Sequence, residues 1–451
     1  MKNIQIGIMG LGTVGGGVYT VLKRNQAEII RRAGCGIEVA MVSRRDTAKA
    51  TALVGNDAQV VADARAIIQN PAIDVVVELI GGCDLAKTLV LEAIAAGKHV
   101  VTANKALLAV YGSEIFAAAK SRGVMVGYEA AVAGGIPIIK ALREGLSANR
   151  IEWVAGIING TTNFILSEMR DKGADFATVL AEAQRLGYAE ADPTFDIEGI
   201  DAAHKASLLS AIAFGTQPQF NAAQASGQIQ GISQLTAQDI TYAEQLGYRI
   251  KLLGISKRVT VGDKEDKIDG IELRIHPTLI PAKRLIANVE GAMNAVLVKA
   301  DAVGATLYYG KGAGAEPTAS AVIADIVDVV RAMHTAPAGR VPALAFQDDA
   351  LQALPVIAAA EVVTSFYLRI PVVDEPGVLA QVAGILAKAN ISVDALLQRE
   401  SESSDAGEAR TDIIVLTHEA RQGDMLAAIE QIKALAFMRG GLAMLRKEEL
   451  A

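Results

Sequence analysis

The sequence is poor in cysteine and in aromatic residues, and both scarcities narrow the class of protein. Only two cysteines, Cys35 and Cys83, occur among 451 residues, which argues against a disulfide-built secreted scaffold and fits a reducing compartment. Aromatic residues make up 4% and charged residues 21%, so the composition is that of an aliphatic globular enzyme. A chain of this length predicts two or three domains.

Blocks of positive charge and long apolar runs are also missing. The formal net charge is −7 and no basic segment with interleaved aromatics occurs, so nucleic acid is not expected as a partner. No apolar run of about eighteen residues is present, which argues against a membrane span. A first strand that begins by residue 4 leaves no room for a signal peptide. We therefore expect a cytoplasmic protein.

A glycine-rich turn near the N-terminus is the clearest pattern that is present. An apolar strand is predicted over Ile4–Met9, and residues 10–15 (GLGTVG) follow it directly before a helical spacing. Gly10 permits a tight turn, Gly12 lets the backbone approach a pyrophosphate, and Gly15 lets helix and strand pack closely. This order predicts a dinucleotide-binding fold with the pyrophosphate at the helix N-terminus. The alternative is a glycine-rich turn without a ligand.

The end of the second predicted strand, residues 37–42, bears on the choice of cofactor. An NAD-selective fold usually places an acidic residue there to bind the ribose 2′-hydroxyl, but this chain has Ser43, Arg44 and Arg45. Two guanidinium groups can pair with a 2′-phosphate. We therefore predict NADP as the cofactor, with NAD as a poorer substitute. A pair of surface arginines is the alternative.

Strand-like and helix-like segments alternate through the first third of the chain, which predicts an α/β domain with a doubly wound parallel sheet. Ligands bind such sheets at the carboxyl ends of the strands. The expected elements after the first strand are helices over 18–30, 85–96 and 113–121, and strands over 37–42, 74–80, 99–102 and 124–128. A glycine-rich turn at 310–314, with Pro317, leads into a helix that we expect to pack beside the nucleotide.

The pattern changes after about residue 135. Strand-like segments at 151–158, 273–276 and 294–299 alternate with longer helices, which predicts an α+β domain on a mixed or antiparallel sheet. From residue 366, a split βαβ, ferredoxin-like unit is predicted, with strands over 366–373, 391–400, 410–418 and near Phe437, and helices over 378–389 and 425–433. The predicted division is 1–135 with a returning helix over 315–335, 136–310, a proline-marked linker over 336–360, and 361–451.

Charged residues are concentrated in residues 187–205, directly before a segment, 206–238, that carries no charge. Asp201 and Lys205 are four residues apart and would share one face of a helix. The other carboxylates of this stretch are Glu190, Asp192, Asp196 and Glu198. Such a cluster suits a site that holds a small zwitterion and moves a proton on it. A solvated loop with a helical ion pair is the alternative.

Three segments make the sequence similar to homoserine dehydrogenases with a C-terminal ACT regulatory domain. They are residues 102–105 (TANK), 159–166 (NGTTNFIL) and 187–205, and the resemblance covers essentially the whole chain. It implies reversible reduction of L-aspartate 4-semialdehyde to L-homoserine with NAD(P)H, a step of threonine and methionine biosynthesis. Phe164 departs from the family, where Tyr is frequent, and removes a hydroxyl that is not expected to be catalytic.

The resemblance also implies roles for individual residues. Lys205 matches the family's acid/base lysine and Lys105 a second lysine near nicotinamide and substrate, where an ammonium can stabilise an alkoxide and donate a proton. The residues implied to bind substrate are Glu190 and Asp201 for its amino group, Gly160 and Thr162 for its carboxylate, and Asp196 in the same loop. The residues implied to bind the cofactor are Gly10, Gly12, Thr13, Val14, Gly15, Arg44, Arg45, Thr102, Lys105 and Gly314.

Two further sites follow from the resemblance alone. A monovalent cation, sodium or potassium, would be held by a carboxylate and backbone carbonyls at Glu129, Val132, Gly134 and Ile136, with a tight strand-to-helix turn as the alternative. The ACT turn and helix end would bind L-threonine as an effector at Asp374, Gly377 and Asn390, with a domain that only dimerises as the alternative. We expect a homo-oligomer, either a dimer or a tetramer.

Two other functions remain open at this stage. A dehydrogenase acting on another small amino acid would share the nucleotide fold but should lack the 187–205 stretch. An amino-acid sensor that binds nucleotide without turnover would need Lys105 or Lys205 to be missing, and both are present.

Overall fold

Alternating strands and helices build the N-terminal region, as the apolar pattern predicts. A computed structural model describes residues 3–262, 267–398, 402–403 and 409–450. The first elements are β1 (Ile4–Met9), α1 (Thr13–Arg24), α2 (Gln26–Ala33), β2 (Ile37–Ser43), α3 (Thr47–Val54), β3 (Gln59–Val61), α4 (Arg65–Gln69), β4 (Val75–Glu78), α5 (Asp84–Ala95), β5 (His99–Thr102), α6 (Lys105–Arg122) and β6 (Val126–Gly127). Their strands form a parallel sheet in the order β3-β2-β1-β4-β5-β6.

Two boundaries in this region differ from the sequence prediction. The helix expected over 18–30 starts earlier, at Thr13, and is divided into α1 and α2 at Asn25, whose backbone leaves the helical conformation. The helix expected over 113–121 starts at Lys105, because the Asn104 side chain accepts a hydrogen bond from the Leu107 amide at 3.1 Å and caps it. Lys105 is therefore the first residue of a helix.

The middle of the chain adds eight helices and five strands among the described residues. They are α7 (Ile138–Lys140), β7 (Ile151–Ile157), α8 (Gly160–Lys172), α9 (Phe176–Arg185), α10 (Thr194–Ile197), α11 (Ile200–Phe214), α12 (Phe220–Ala225), α13 (Ala237–Gln245), β8 (Tyr248–Val261), β9 (Ile268–Pro281), β10 (Met293–Ala300), β11 (Gly304–Lys311) and α14 (Ala315–Ala332). The strand expected at 273–276 is the centre of the much longer β9. Its antiparallel partner β8 is missing from the prediction.

The C-terminal elements are β12 (Val363–Val373), α15 (Val378–Lys388), β13 (Val393–Gln398), β14 (Glu402–Ser403), β15 (Ala409–Thr417), β16 (Ala420–Arg421), α16 (Gln422–Lys433) and β17 (Ala443–Lys447). The short strand expected near Phe437 is present only as an isolated antiparallel bridge between Met438 and Val372, and the last described strand, β17, begins at Ala443. Glu400, the expected end of the third unit's second strand, lies outside the described residues.

The chain divides into two units of contacts. Unit 1 comprises Met1–Gly160, Asp201–Asn221 and Ala292–Leu354, and unit 2 comprises Thr161–Ile200, Ala222–Gly291 and Pro355–Ala451. Unit 1 contains the parallel sheet and the antiparallel strands β7, β10 and β11. In unit 2, β9 pairs with both β8 and β17, and β17, β12, β15 and β13 continue as antiparallel neighbours. No helix in the described part of the chain is long and apolar enough to cross a bilayer.

Each unit has its own apolar core. In unit 1, α14 packs on the parallel sheet through residues such as Val322 and Ile326, which are fully or almost fully buried with Ile6 and Val75. Both faces of such a sheet are covered, which explains why its strands read as continuous apolar runs. In unit 2, alternate residues of β12 point toward α15 and α16, and the other face of that strand carries polar side chains.

A cluster of buried ion pairs connects Glu448, which follows β17, to strands β8 and β9 of unit 2. The Arg274 guanidinium on β9, which is 1% exposed, donates to Glu448 Oε1 at 2.5 Å and to Glu272 Oε2 at 3.0 Å. Lys257 Nζ donates to Glu448 Oε2 at 2.7 Å. Burial alone would raise the pKa of Glu448, but the charges of Arg274 and Lys257 outweigh it and lower the pKa to about 2.

We expect Glu448→Gln to lower the free energy of unfolding by about 3 kcal/mol at neutral pH, because it leaves a buried arginine short of a carboxylate. The native pKa of about 2 lies below the unfolded value of about 4.3. The stabilisation is therefore complete above the unfolded pKa and is lost as the pH falls toward the native value.

Urea unfolding of both proteins at pH 7 and pH 3 measures this effect, and the difference between them should shrink at the lower pH. Glu449→Gln is the matched control, because that side chain is exposed. An equal difference at both pH values would contradict the assignment.

Candidate active site

Helix α11 brings together the two residues that the sequence spacing pairs. Lys205 Nζ donates to Asp201 Oδ2 at 2.7 Å and to the Ile158 carbonyl at 2.8 Å. Asp201 and Lys205 are 3% and 9% exposed, and every residue of α11 from Asp201 to Phe214 is buried. The segment without charge after Lys205 thus begins as the remainder of a buried helix.

Lys105 reaches the same carboxylate from the start of α6. Its Nζ lies 2.8 Å from Asp201 Oδ1, and its side chain is 37% exposed. Asn159 Nδ2 donates to Asp201 Oδ2 at 2.9 Å. One carboxylate therefore bridges two ammonium groups, of which the Lys105 group is the more open to solvent.

The electrostatics of this bridge favour the charged form of Asp201. Burial alone would raise the pKa of Asp201, but the charges of Lys205 and Lys105 outweigh it and hold the pKa well below its ordinary value. The carboxylate charge in turn opposes the repulsion between the two ammonium groups. An oxyanion that forms beside this bridge would meet N–H donors that are already charged and oriented.

The glycine turn has the geometry that a dinucleotide requires. Gly10 has φ +98°, and a Cβ there would lie 2.6 Å from the Leu79 carbonyl oxygen. A Cβ on Gly15 would lie 2.3 Å from the Gly10 carbonyl oxygen, whereas one on Gly12 would meet no atom within 4 Å. Packing thus requires glycine at two positions, and Gly12 faces open space at the start of α1, where Thr13 and Val14 present a helix N-terminus.

Arg44 and Arg45 are placed differently. Arg44 Nη1 donates to the Leu11 carbonyl at 2.7 Å, which holds the guanidinium against the glycine turn. Arg45 is exposed. Of the pair, Arg44 is the arginine in position to meet a group bound at this turn.

The returning helix α14 also meets this region. Gly314 precedes it with φ +120°. A Cβ on Gly17 of α1 would lie 2.6 Å from the Ala315 carbonyl oxygen. Arg24 and Glu316 pair through two hydrogen bonds of 2.8 and 2.9 Å. The helix therefore starts beside α1, the helix that follows the glycine turn.

Sequence reasoning missed a carboxylate at the end of β4. Glu78 is fully buried and accepts from the Thr102 hydroxyl at 2.6 Å and from the amides of Ile80 at 2.8 Å and Gly81 at 3.3 Å. Asn104 Nδ2 donates to the Gly82 carbonyl at 2.7 Å. These bonds join two loops at the carboxyl ends of adjacent strands and fix the helix start at Lys105. An acidic residue inside the apolar run at 74–80 was the available signal.

The remaining residues implied to bind substrate lie in unit 2, apart from Gly160, which begins α8 in unit 1. Thr162 is buried in the first turn of α8, Asp196 is half-buried in α10, and the Glu190 side chain is exposed. A Cβ on Gly160 would lie 2.8 Å from the Ala292 carbonyl oxygen, so glycine is required there by packing.

The loop implied to hold a cation is tightly constrained. The Glu129 carboxylate accepts from the amides of Ile139 and Lys140 at 2.9 and 2.8 Å, and burial raises its pKa. Ala133 and Gly134 have positive φ, and a Cβ on Gly134 would lie 2.4 Å from the Gly312 carbonyl oxygen.

The described residues contain no group of three or more His, Cys, Asp or Glu side chains that could hold a metal. A cation in the loop would therefore depend on backbone carbonyls, including those of Val132 and Ile136, which suits a monovalent ion.

Of the residues implied to bind an effector, Asp374 and Gly377 lie in the turn before α15 and Asn390 lies beyond its other end. Asp374 is exposed and accepts from Gln398 Nε2 at 3.2 Å. Gly377, with φ +94°, precedes α15, whereas Asn390, with φ +58°, follows its other end. A helix of this length separates its two ends by about 16 Å.

Unit 1 contains a parallel sheet whose first strand is followed by a glycine turn. In the same unit a buried carboxylate bridges two lysines. Together these features are those of an NAD(P)-binding oxidoreductase. Residues 10–129 match the family model for the homoserine dehydrogenase NAD binding domain, 137–327 that for homoserine dehydrogenase, and 366–437 that for the ACT domain. The chain belongs to the homoserine dehydrogenase family. The predicted α/β, α+β and ferredoxin-like fold classes are confirmed.

Individual relatives are similar to this chain over the full length, or almost the full length, of both. The chain is 57% identical to homoserine dehydrogenase of Pseudomonas aeruginosa, covering 100% of both chains. The crystal structure of a homoserine dehydrogenase from Thiobacillus denitrificans has 59% identity and a TM-score of 0.92, covering 100% of this chain and 99% of that one. That of the S. aureus enzyme has 30% identity and a TM-score of 0.74, covering 99% of each chain.

Proposed function

We propose that this chain catalyses the reversible reduction of L-aspartate 4-semialdehyde to L-homoserine with NADPH. The observation that carries the proposal is the Lys105–Asp201–Lys205 bridge, with Nζ–carboxylate distances of 2.8 and 2.7 Å. It lies in the same unit as the glycine turn. The relatives' shared name supports this reaction as the one the bridge serves.

The proposed chemistry needs a proton donor beside a carbonyl oxygen. Hydride transfer to the aldehyde carbon is the chemistry that the cofactor supplies when bound. The carbonyl oxygen then becomes an alkoxide, which Lys205 and Lys105 stabilise and to which one of their ammonium groups gives a proton. Asp201 keeps both lysines charged until that transfer, and in the oxidative direction the proton returns to the lysine.

Substrate recognition would use the zwitterionic end of the molecule. We assign the ammonium group to the carboxylates of Glu190 and Asp201, with Asp196 on the short helix α10 as a further substrate-binding residue. The carboxylate of the substrate would meet Gly160 and Thr162 at the start of α8. The negative charge of Asp201 and the helix N-terminus of α8 support these two placements.

The reaction is tested by following the absorbance of the reduced nicotinamide. L-Homoserine is mixed with NADP or NAD, with and without L-threonine. We expect homoserine-dependent reduction that is faster with NADP. No reduction with either cofactor would refute the proposed reaction.

Arg44 is proposed to select NADP, because its guanidinium lies against the glycine turn at 2.7 Å from the Leu11 carbonyl. We expect Arg44→Ala to raise the KM for NADPH by about tenfold and that for NADH much less, since only NADPH carries the 2′-phosphate. Arg45→Ala, an exposed neighbour, is the control for general loss of positive charge. Equal effects of Arg44→Ala on the two cofactors would refute this role.

A monovalent cation is proposed at Glu129, Val132, Gly134 and Ile136. The positive φ at Ala133 and Gly134 supports a loop whose carbonyls can converge. We expect exhaustive dialysis into a tetramethylammonium buffer to lower activity several-fold and the addition of sodium or potassium to restore it. Activity that does not depend on either ion would refute the site.

The remaining proposals concern organisation. We propose the domain division 1–135 with helix 315–335, 136–310, a linker over 336–360, and an ACT domain over 361–451 that mediates inhibition by L-threonine.

We also propose a homo-oligomer, either a dimer or a tetramer, that pairs through the edge strand β13. The exposed Leu396 on that strand supports this pairing. Two free cysteines support a reducing, cytoplasmic location.

A further inference from the structure

Glu78 is a buried carboxylate that the proposed reaction does not use. It is the last residue of β4, where it lies in register with Met9 of β1 on one side and Thr102 of β5 on the other. Met9 directly precedes the glycine turn, so Glu78 and that turn share one edge of the sheet. The strand order reverses between β1 and β4, and a parallel sheet of this kind binds a dinucleotide at that point.

The hydrogen bonds of Glu78 are those of a charged carboxylate. The amides of Ile80 and Gly81 donate to its Oε1 at 2.8 and 3.3 Å, and the Thr102 hydroxyl donates to its Oε2 at 2.6 Å. The same hydroxyl accepts from the Asn104 amide at 3.0 Å, so its own proton points at Glu78. Both carboxylate oxygens are therefore acceptors, which is the role of an ionised group.

The charge of Glu78 has no cationic partner. The side chain is 0% exposed, and no lysine, arginine or histidine among the residues with a described structure forms an ion pair with it. Its three hydrogen-bond donors are two amides and a hydroxyl, which carry no net charge. Water and salt screen a buried charge much less than an exposed one. Glu78 therefore imposes a negative potential on its surroundings.

The loop that follows Glu78 borders open space. Gly81 and Gly82 are exposed, with φ +79° and +70°, and a Cβ on either would meet no atom within 4 Å. The Gly81 amide lies 3.3 Å from Glu78 Oε1. The buried carboxylate is therefore one hydrogen bond away from a part of the loop that a ligand can approach.

The side of the sheet on which Glu78 lies is the side expected for the nicotinamide. Arg44, which follows β2 and is proposed to meet the 2′-phosphate, marks the adenosine side of the glycine turn. The other half of a dinucleotide that crosses the turn then lies on the side of β4 and β5. Lys105, which starts the helix after β5, reaches Asp201 at 2.8 Å there.

We propose that the charge of Glu78 stabilises the oxidised form of the bound nicotinamide cofactor relative to the reduced form. The oxidised ring carries a positive charge and the reduced ring is neutral, so a negative charge in the site favours only the oxidised ring. The Lys105–Asp201–Lys205 bridge has one net positive charge, which acts in the opposite sense. Glu78 offsets that charge. The inference rests on the proposed function only for the choice of NADP as the probe and for the side on which the cofactor lies.

Isothermal titration calorimetry of the full chain with oxidised NADP and with NADPH tests the proposal without turnover. Glu78→Gln removes the charge and keeps the shape of the side chain. We expect the dissociation constant for oxidised NADP to rise about tenfold more than that for NADPH. A loosened loop alone would weaken both forms alike. A change in the ratio of the two constants of less than about threefold, or a change in the opposite direction, would therefore overturn the proposal.

Two further variants separate charge from packing. Glu78→Asp keeps the charge but shortens the side chain, so its ratio should stay near that of the unmodified protein. Asp74→Asn is the matched control, because Asp74 directly precedes β4 at the opposite end of the strand and accepts from the Gln5 amide at 2.8 Å. Its ratio should not move. A shift in either variant as large as that in Glu78→Gln would overturn the proposal.

A cofactor fragment shows whether the rest of the site is intact. 2′-Phospho-ADP-ribose lacks the nicotinamide ring, so Glu78→Gln should leave its dissociation constant unchanged. A loss as large as that for oxidised NADP would assign the effect to the adenosine side and overturn the proposal. NAD and NADH serve as the second pair of probes.

Thermal unfolding shows whether each variant is folded. Should Glu78→Gln fail to fold, Glu78→Ala takes its place as the neutral variant, because the smaller side chain lets water reach the freed donors. A failure of the proposed reaction appears independently, as no homoserine-dependent reduction of either cofactor, and does not alter the binding constants.

Discussion

Lys205→Ala is expected to lower kcat for homoserine oxidation by about a thousandfold, the scale of losing a positioned general acid or base. The ammonium that it removes is buried and held by Asp201 and the Ile158 carbonyl. Asp201 would keep Lys105 as a partner, so the fold of the site and the glycine turn should survive. We therefore expect the dissociation constant for NADPH, measured by fluorescence titration, to change little.

The control for this variant is a second buried lysine in unit 1. Lys98 Nζ donates to the carbonyls of Asn70 and Ile73 at 2.7 and 2.8 Å, and it lies before β5, away from the carboxyl ends of the strands. Lys98→Ala should lower thermal stability without a comparable loss of kcat per folded molecule. Near-normal turnover in Lys205→Ala would refute its catalytic role.

Asp201→Asn is expected to have the second largest effect, a loss of kcat of about a hundredfold or more. The substitution keeps the shape of the side chain but removes the charge between two ammonium groups. The carbonyl oxygen of asparagine can accept a hydrogen bond from one lysine. Its amide nitrogen, which can only donate, would face the other lysine. Both lysines then hold their protons less firmly.

A pH profile distinguishes this loss of charge from a loss of packing. For aldehyde reduction, which needs a protonated lysine, the alkaline limb of kcat should move to lower pH by about one unit or more in Asp201→Asn. Asn159→Ala removes a neutral hydrogen bond to the same carboxylate and should lower kcat without moving that limb. An unmoved limb in Asp201→Asn would contradict the proposed electrostatic role.

The candidate site could be predicted in part because some of its geometry is local. A spacing of four residues is enough to pair Asp201 with Lys205 on one helix face, and the glycine turn follows its strand directly. Lys105 is 96 residues from Asp201 in sequence, so no periodicity connects them, and only the family resemblance placed both at one site. Glu78 was missed because its partners, the Thr102 hydroxyl and two loop amides, are fixed only by the register of β4 and β5.

The same holds for the fold: elements that depend on local sequence were predicted, and elements that depend on tertiary contacts were not. The apolar strands of the parallel sheet were predicted because burial on both faces gives continuous apolar runs. Strand β8 was missed because Lys251, Gly254, Ser256 and Lys257 interrupt its apolar pattern. Two of these are the lysines that pair with residues elsewhere in unit 2, with the Val289 carbonyl and Glu448 respectively. Likewise, the apolar residues around Phe437 form only a single bridge, between Met438 and Val372, and the longer strand follows at Ala443–Lys447.

The carboxylate of Glu448 lies directly after β17, and it neutralises the buried Arg274 in the middle of β9. Removing the residues from Glu448 onward, by a stop codon or by a protease, would therefore remove the negative charge that pairs with Arg274 in this sheet. Removal of these residues should therefore yield misfolded protein rather than a folded, catalytically competent enzyme.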